Sequence, residues 1–249
     1  DSCRVAHINK HRADKRRLCA FNDKVKQQLP TSFQNYSAVL AELGYPITLD
    51  FKSIFPDGGG DLSLLPESVG KSKPEGQEWI GIAPFAAHEW KVYPLEKMEE
   101  VIRILTDAHP SCRIFFFGGG QQEMDQFDEW CRKFPRCTNA SAILGGLSME
   151  LILMSHLDVM LSMDSGNMHM AAITGIPVVS VWGATHPYAG FAPWGQPAGN
   201  MVQVDLPCRP CSVYGNKPCR RGDFACMRNI SPETIVKVLE RNINSMLTD

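Results

Sequence analysis

The chain has 249 residues, 44% of them hydrophobic and 21% charged, the make-up of an ordinary globular protein with one large core or two smaller ones. Its longest apolar runs are about five residues, against roughly 20 for a bilayer-spanning helix, and no apolar signal core opens it; a cytoplasmic protein is expected, with peripheral contact at a membrane surface left open. The net charge of −2 is unevenly spread, since residues 1–28 carry eight Lys or Arg against three Asp; with little aromatic interleaving there and an acidic remainder, nucleic acid is not an expected partner.

In chain order, residues 5–8 read as a strand and the basic run from Lys10 to Arg17 as either a solvated face or a contact for a phosphorylated or acidic acceptor. Residues 33–43 follow as a helix and 47–51 as a strand, and then Gly58-Gly59-Gly60 and the Pro/Ser/Lys-rich stretch 66–76 read as a linker. Residues 1–72 are too few for a full doubly wound domain, and the chain opens at Asp1 without an initiator Met. The first part of an amino-terminal domain is therefore expected to lie outside this sequence.

From residue 78 to 204, short apolar runs alternate with amphipathic stretches, the pattern of a doubly wound α/β parallel sheet; residues 73–249 are expected to form this second domain. Strands are predicted at 79–83, 113–117, 159–163 and 176–182. Helices are predicted from Pro94, with Leu95, Met98, Val101, Ile102 and Leu105 on one face, and at 123–134, 148–156 and just after Asp164. Ser231-Pro232 starts a closing helix over 231–247, whose apolar face is Ile235, Val238, Leu239 and Ile243.

Three loops at predicted strand ends have the chemistry of a diphosphate site, where open parallel sheets bind ligands. In residues 84–94, Lys91 offers a point charge and the small Ala86 and Ala87 allow close approach. In Gly118-Gly119-Gly120, followed by Gln121, Gln122 and Glu123, the glycines admit a ligand and the polar side chains suit ribose hydroxyls. In Asp164-Ser165-Gly166-Asn167-Met168-His169 a tight turn opens a helix, whose unpaired N–H groups and positive dipole end stabilise an anion without metal. Each residue also has a plainer reading: Asp164 as a helix cap, His169 as a packed core side chain, Lys91 as surface charge.

Together these segments resemble the carboxyl-terminal domain of the family 9 glycosyltransferases, the ADP-heptose:lipopolysaccharide heptosyltransferases. The matching pieces are residues 84–94, Phe117-Gly118-Gly119, Leu144-Gly145-Gly146-Leu147-Ser148, the segment from Asp164 to Ala172, and Val181-Trp182-Gly183-Ala184-Thr185-His186-Pro187. The resemblance implies a GT-B fold of two Rossmann-like domains and inverting transfer of heptose from ADP-heptose to the lipopolysaccharide inner core, with no cofactor required. It implies a donor site of Lys91, Asp164, Ser165, Gly166, Asn167 and His169, with Ala86, Ala87, Glu123 and Gly145 beside it. Many members have Thr or Ser where Ala86 and Ala87 stand, so phosphate would meet only backbone donors there. The resemblance puts the catalytic base, a carboxylate, near the start of the amino-terminal domain, outside this sequence.

The chain lacks an Asp-x-Asp, in keeping with a metal-independent site, and lacks a Gly-x-Gly-x-x-Gly, which argues against a dinucleotide-dependent dehydrogenase. A catalytically incomplete nucleotide-sugar-binding module and a family 9 transferase with another donor sugar are the readings that compete with heptosyl transfer. In the Cys-rich loop 207–227, Cys208, Cys211, Cys219 and Cys226 follow C-x2-C-x7-C-x6-C, compatible with a structural zinc, with reduced thiols or with disulfides.

Overall fold

The computed structural model describes residues 3–246, with side chains described to residue 244; Leu247, the expected last residue of the closing helix, lies outside the described residues. Six short strands form the frame: β1 (Trp79–Ala83), β2 (Arg113–Phe116), β3 (Cys137–Asn139), β4 (Val159–Met163), β5 (Val178–Val181) and β6 (Met201–Val202). All neighbours are parallel, in the order β3-β2-β1-β4-β5-β6. The helices are α1 (Arg12–Leu18), α2 (Ser32–Glu42), α3 (Leu95–Ala108), α4 (Gln121–Lys133), α5 (Ala140–Ile143), α6 (Leu147–Met154), α7 (Gly166–Ile173), α8 (Ala225–Arg228) and α9 (Pro232–Met246).

The strands read as continuous apolar runs because both faces are covered, and the period of two sorts their side chains into two cores. Ile114, Phe116, Val159, Leu161, Met163, Val179 and Val181 face α3, α4 and α9, where they meet Met98, Val101, Ile102, Leu105, Phe127, Trp130, Ile235, Leu239 and Ile243. Phe115, Met160 and Val178 point the other way, toward Ile152, Leu153, Met168, Ala171 and Ala172 of α6 and α7. The predicted apolar faces of α3 and α9 are thus the faces that pack. Strand β5 starts two residues later than predicted because Pro177 has no N–H to donate; its carbonyl still accepts from Met160 N at 3.0 Å.

Residues 1–72 depart most from expectation. Neither 5–8 nor 47–51 is a strand. A strand needs a neighbour to pair its backbone, and no other strand lies beside either segment among the described residues. Phe51 offers its carbonyl to Trp194 Nε1 instead, at 2.8 Å. Helix α2 does form, closed by a capping box in which Thr31 Oγ1 accepts from Gln34 N and Gln34 Oε1 accepts from Thr31 N.

The segment read as a linker is in fact a packed strap. Leu62, Leu65 and Val69, spaced by three and four residues, are buried in the core on the α6 and α7 side. Gly60 N donates to Ser155 Oγ at 2.9 Å, and the His156 ring bonds Gly60 O at 2.6 Å. Glycine, proline and lysine dominated the composition, but three apolar side chains set the position. Leu65→Ala is expected to lower the free energy of unfolding by about 2–5 kcal/mol in a urea titration, whereas a solvated linker residue would cost about 0.5 kcal/mol or less.

Candidate functional site

Strand order reverses between β1 and β4: from β1 the chain builds outward through β2 and β3, then crosses back to place β4 on the other side. The loops at the carboxyl ends of β1 and β4 therefore diverge and leave a crevice between them. Lys91 ends a short turn, Glu89–Lys91, after β1, and Asp164 follows β4 directly. Lys91 Nζ lies 3.4 Å from Asp164 Oδ2, with both side chains nearly buried. Thr185, after β5, donates its hydroxyl to the same Oδ2 at 2.8 Å.

Asp164 is thus occupied by a lysine and a threonine, not by capping the helix that follows. The N-cap of α7 is Ser165, in extended conformation (φ −145°) and without a side-chain cap bond. The first N–H groups of α7 have no intrahelical acceptor and open toward the crevice end of the sheet. His169 lies near the same end; burial pushes its imidazole below the usual histidine range, with Asp164 opposing the shift, so it is neutral at pH 7. Its ring offers a hydrogen bond before it offers a charge.

A cavity of about 240 Å³ gathers Ala87, Lys91, Asp164, Ser165, Gly166 and His169 with Phe191, Val213 and Tyr214. Four expected residues stand outside its lining. Asn167 is half-buried on α7, Ala86 packs against the α3 side of the core, and Gly145 is exposed with its N–H on Met149 Sδ. Glu123 turns inward on its own loop, accepting from Gly119 N at 2.8 Å, and Gln121 Nε2 is held by Asp125. Thr185, Phe191, Val213 and Tyr214 are additions. Thr185 lies three residues past the predicted strand 176–182, inside the family-like segment 181–187 that marks it; Val213 and Tyr214 arrive from the Cys-rich loop, 49 and 50 residues after Asp164 in sequence, and carry no local signal.

Two further cavities are lined by residues of the amino-terminal segment and the Cys-rich loop. One, of about 520 Å³, lies between α1 and the turn 212–217 and is lined by Lys10, Arg12, Lys15, Arg16 and Lys217, with no carboxylate in its lining. It shares Val213 and Tyr214 with the Lys91 cavity, and Lys15 Nζ sits 4.5 Å over the Phe191 ring. The other, about 430 Å³, is ringed by Cys208, Cys211, Cys219 and Cys226, joined by Cys19 from the end of α1. All nine cysteines are unpaired thiols, and burial pushes Cys226 up to about 12. Among the described residues no group of three or more His, Cys, Asp or Glu is arranged to hold a metal ion, so the zinc expectation finds no converged ligand set.

The Cys-rich loop is fastened to the strand ends by Arg209, only 1% exposed. Its guanidinium donates to Gly183 O at 2.6 Å, Thr185 O at 2.9 Å, Gln203 Oε1 at 3.1 Å and Val204 O. Cys211 N and Ser212 N both donate to Ala184 O. The amino-terminal segment is fastened nearby, through Lys24 Nζ on Pro210 O at 2.6 Å and Leu29 N on Tyr188 O at 2.9 Å.

Comparison with known proteins agrees with this frame. Solved structures with similar folds include E. coli ADP-heptose LPS heptosyltransferase II (TM-score 0.66, 17% identity, covering 88% of this chain and 63% of that one) and E. coli heptosyltransferase WaaC with ADP (TM-score 0.58, 17% identity, 89% and 60%). A curated relative, lipooligosaccharide heptosyltransferase 2 of Campylobacter jejuni, is 30% identical over 80 residues, which is 32% of this chain and 24% of that protein. The chain thus spans less than two thirds of each of these relatives. The family model for glycosyltransferase family 9 (heptosyltransferase) matches residues 7–219. With an α/β parallel sheet, a crevice at its reversal point and a family match over most of its length, the chain belongs to glycosyltransferase family 9.

Proposed function

We propose that this chain is the donor-binding part of a heptosyltransferase that takes heptose from a nucleotide diphosphate sugar, ADP-heptose, and passes it to the anionic inner core of lipopolysaccharide. The observation that carries this reading is the convergence of Lys91, His169 and the start of α7 on one cavity at the sheet's reversal point. A departing diphosphate there meets a lysine ammonium, unpaired backbone N–H groups and a neutral imidazole, so the charge that develops on it is stabilised by the chain's own groups. The ADP named with the WaaC structure supports an adenine nucleotide.

The acceptor side follows from charge. The cleft of Lys10, Arg12, Lys15, Arg16 and Lys217 opens beside the donor cavity and suits a phosphorylated or carboxylated sugar acceptor, brought by peripheral contact at the cytoplasmic face of the inner membrane. No helix of the described residues is long and apolar enough to cross a membrane. In the transfer, an acceptor hydroxyl oxygen bonds the anomeric carbon from the face opposite the diphosphate, the carbon–oxygen bond to the diphosphate breaks, and a base takes the hydroxyl proton; the anomeric centre inverts.

One observation favours a second reading, a donor-binding module incomplete for catalysis. Among the described residues Asp164 is the only carboxylate lining the cavity, and it is held by Lys91 and Thr185. A carboxylate base has to come from outside the described residues that line this site, where the neutral imidazole of His169 is the other group able to accept a proton.

Calorimetric titration of the chain with ADP, UDP, GDP and ADP-heptose tests the donor site. ADP and ADP-heptose are expected to bind, and Lys91→Ala to weaken both by about 10- to 100-fold through loss of one charge-assisted contact. Negligible binding of all four nucleotides sinks the reading. A pH series reads His169. Its imidazole is depressed in the free protein and is raised when a diphosphate sits beside it, so the bound state takes up a proton and affinity grows as pH falls from 8 to 6. His169→Ala is expected to abolish that rise, leaving the opposite trend that protonation of ADP's own terminal phosphate causes as pH falls.

A further inference from the structure

The Cys-rich loop lends Val213 and Tyr214 to the lining of the Lys91 cavity, and it also touches the short turn that carries Lys91 in two places. At one, Phe224 meets Trp90 edge to face, with ring centroids 5.4 Å apart. At the other, Gly215 lies directly against the Lys91 stem. A Cβ built on Gly215 would overlap Lys91 Cγ, sit 2.8 Å from Lys91 Cδ and 3.6 Å from Thr185 Cγ2. Gly215 also has φ +76°, which an L side chain rarely adopts.

The position of Gly215 is built in from below. Ser212, 2% exposed, accepts from Gly215 N at 2.9 Å and donates to Asn216 Oδ1 at 3.0 Å, closing the turn 212–217. Ser212 N is anchored on Ala184 O, and Arg209 holds Thr185 O, so the turn and the threonine that bonds Asp164 hang from the same three residues, 183–185. Lys91 is therefore confined at both ends: the ammonium by Asp164, the methylene stem by the Gly215 backbone.

We propose that Gly215, set by Ser212, is a positioning residue for Lys91: the backbone of the turn 212–217 presses on the lysine stem and fixes its ammonium where the donor diphosphate binds. A lysine stem has four rotatable bonds, and holding it before the ligand arrives removes an ordering cost from binding. The inference rests on the donor-site reading above. It makes the Cys-rich loop a part of nucleotide binding even though no thiol reaches the cavity.

The test is ADP titration of Gly215→Ala, extended to millimolar ligand, with Gly222→Ala as reference. Gly222 lies in the same loop at φ +78° with nothing within 4 Å of a built Cβ, so it carries the same backbone penalty without the contact. Gly215→Ala is expected to weaken ADP about tenfold, Gly222→Ala less than about twofold, and Gly215→Ala added to Lys91→Ala to cause no further loss. Gly215→Ala matching Gly222→Ala, or weakening ADP equally when Lys91 is absent, overturns the inference while leaving the donor site standing. Failure of the parent chain to bind ADP overturns both. Should Gly215→Ala not fold, Ser212→Ala takes its place: a loss of about threefold that vanishes in the Lys91→Ala background supports the inference, and unchanged affinity overturns it.

Discussion

Everything about the site depends on the reversal of strand order between β1 and β4. Two parallel strands that sit side by side but send their chains to opposite halves of the sheet leave their carboxyl ends uncovered. Lys91 and Asp164 occupy those two ends, so residues 73 positions apart in sequence come within 3.4 Å of each other. The pairing costs no special local structure. It follows from the register of Ile82 with Leu161 and of Ala83 with Ser162 across the β1–β4 ladder.

The chemistry at that point is a shared arrangement. Lysine has three N–H donors, so Lys91 can hold Asp164 and still offer N–H groups to the cavity. Asp164 keeps the ammonium compensated while the cavity is empty, because a nearly buried unpaired charge would be costly. Thr185 then fixes the carboxylate, and the residues that fix Thr185 also fix the Cys-rich loop. The start of α7 adds backbone donors without any side chain to order. A neutral His169 completes a site that is polar without being strongly positive, in contrast to the neighbouring cleft of five cations.

The two cavities meet at Val213 and Tyr214, and Phe191 stands between α1 and α7 with its ring 5.9 Å from that of Tyr214. The Lys91 cavity and the basic cleft are therefore separated by a few aromatic and apolar side chains from loops 186–194 and 205–217. Those same loops carry the bonds that dock the amino-terminal segment, through Lys24 and Leu29. The docking of α1 and the shape of the Lys91 cavity are consequently not independent.

The sequence by itself determined the α/β half. The short apolar runs of β1, β2, β4 and β5, the 3.6-period faces of α3 and α9, and the turn at Asp164 are local patterns, whereas the three-residue β3 and two-residue β6 carry no such run. It also determined which loops follow the carboxyl ends of the strands, and Lys91, Asp164, Ser165, Gly166 and His169 from those loops line one cavity. Tertiary structure decided the rest. The segments 5–8 and 47–51 have strand-like composition, but a strand exists only if a neighbour pairs it. The strap through Leu62, Leu65 and Val69 looks like a linker until the groove it fills is present. Glu123 and Gly145 stand in plausible motifs and still line no part of the cavity, because a motif fixes order along the chain and not direction in space. Gly215 and Tyr214 reach the site only because Arg209 and Ser212 fold a distant loop onto the strand ends, a contact with no counterpart in the local sequence.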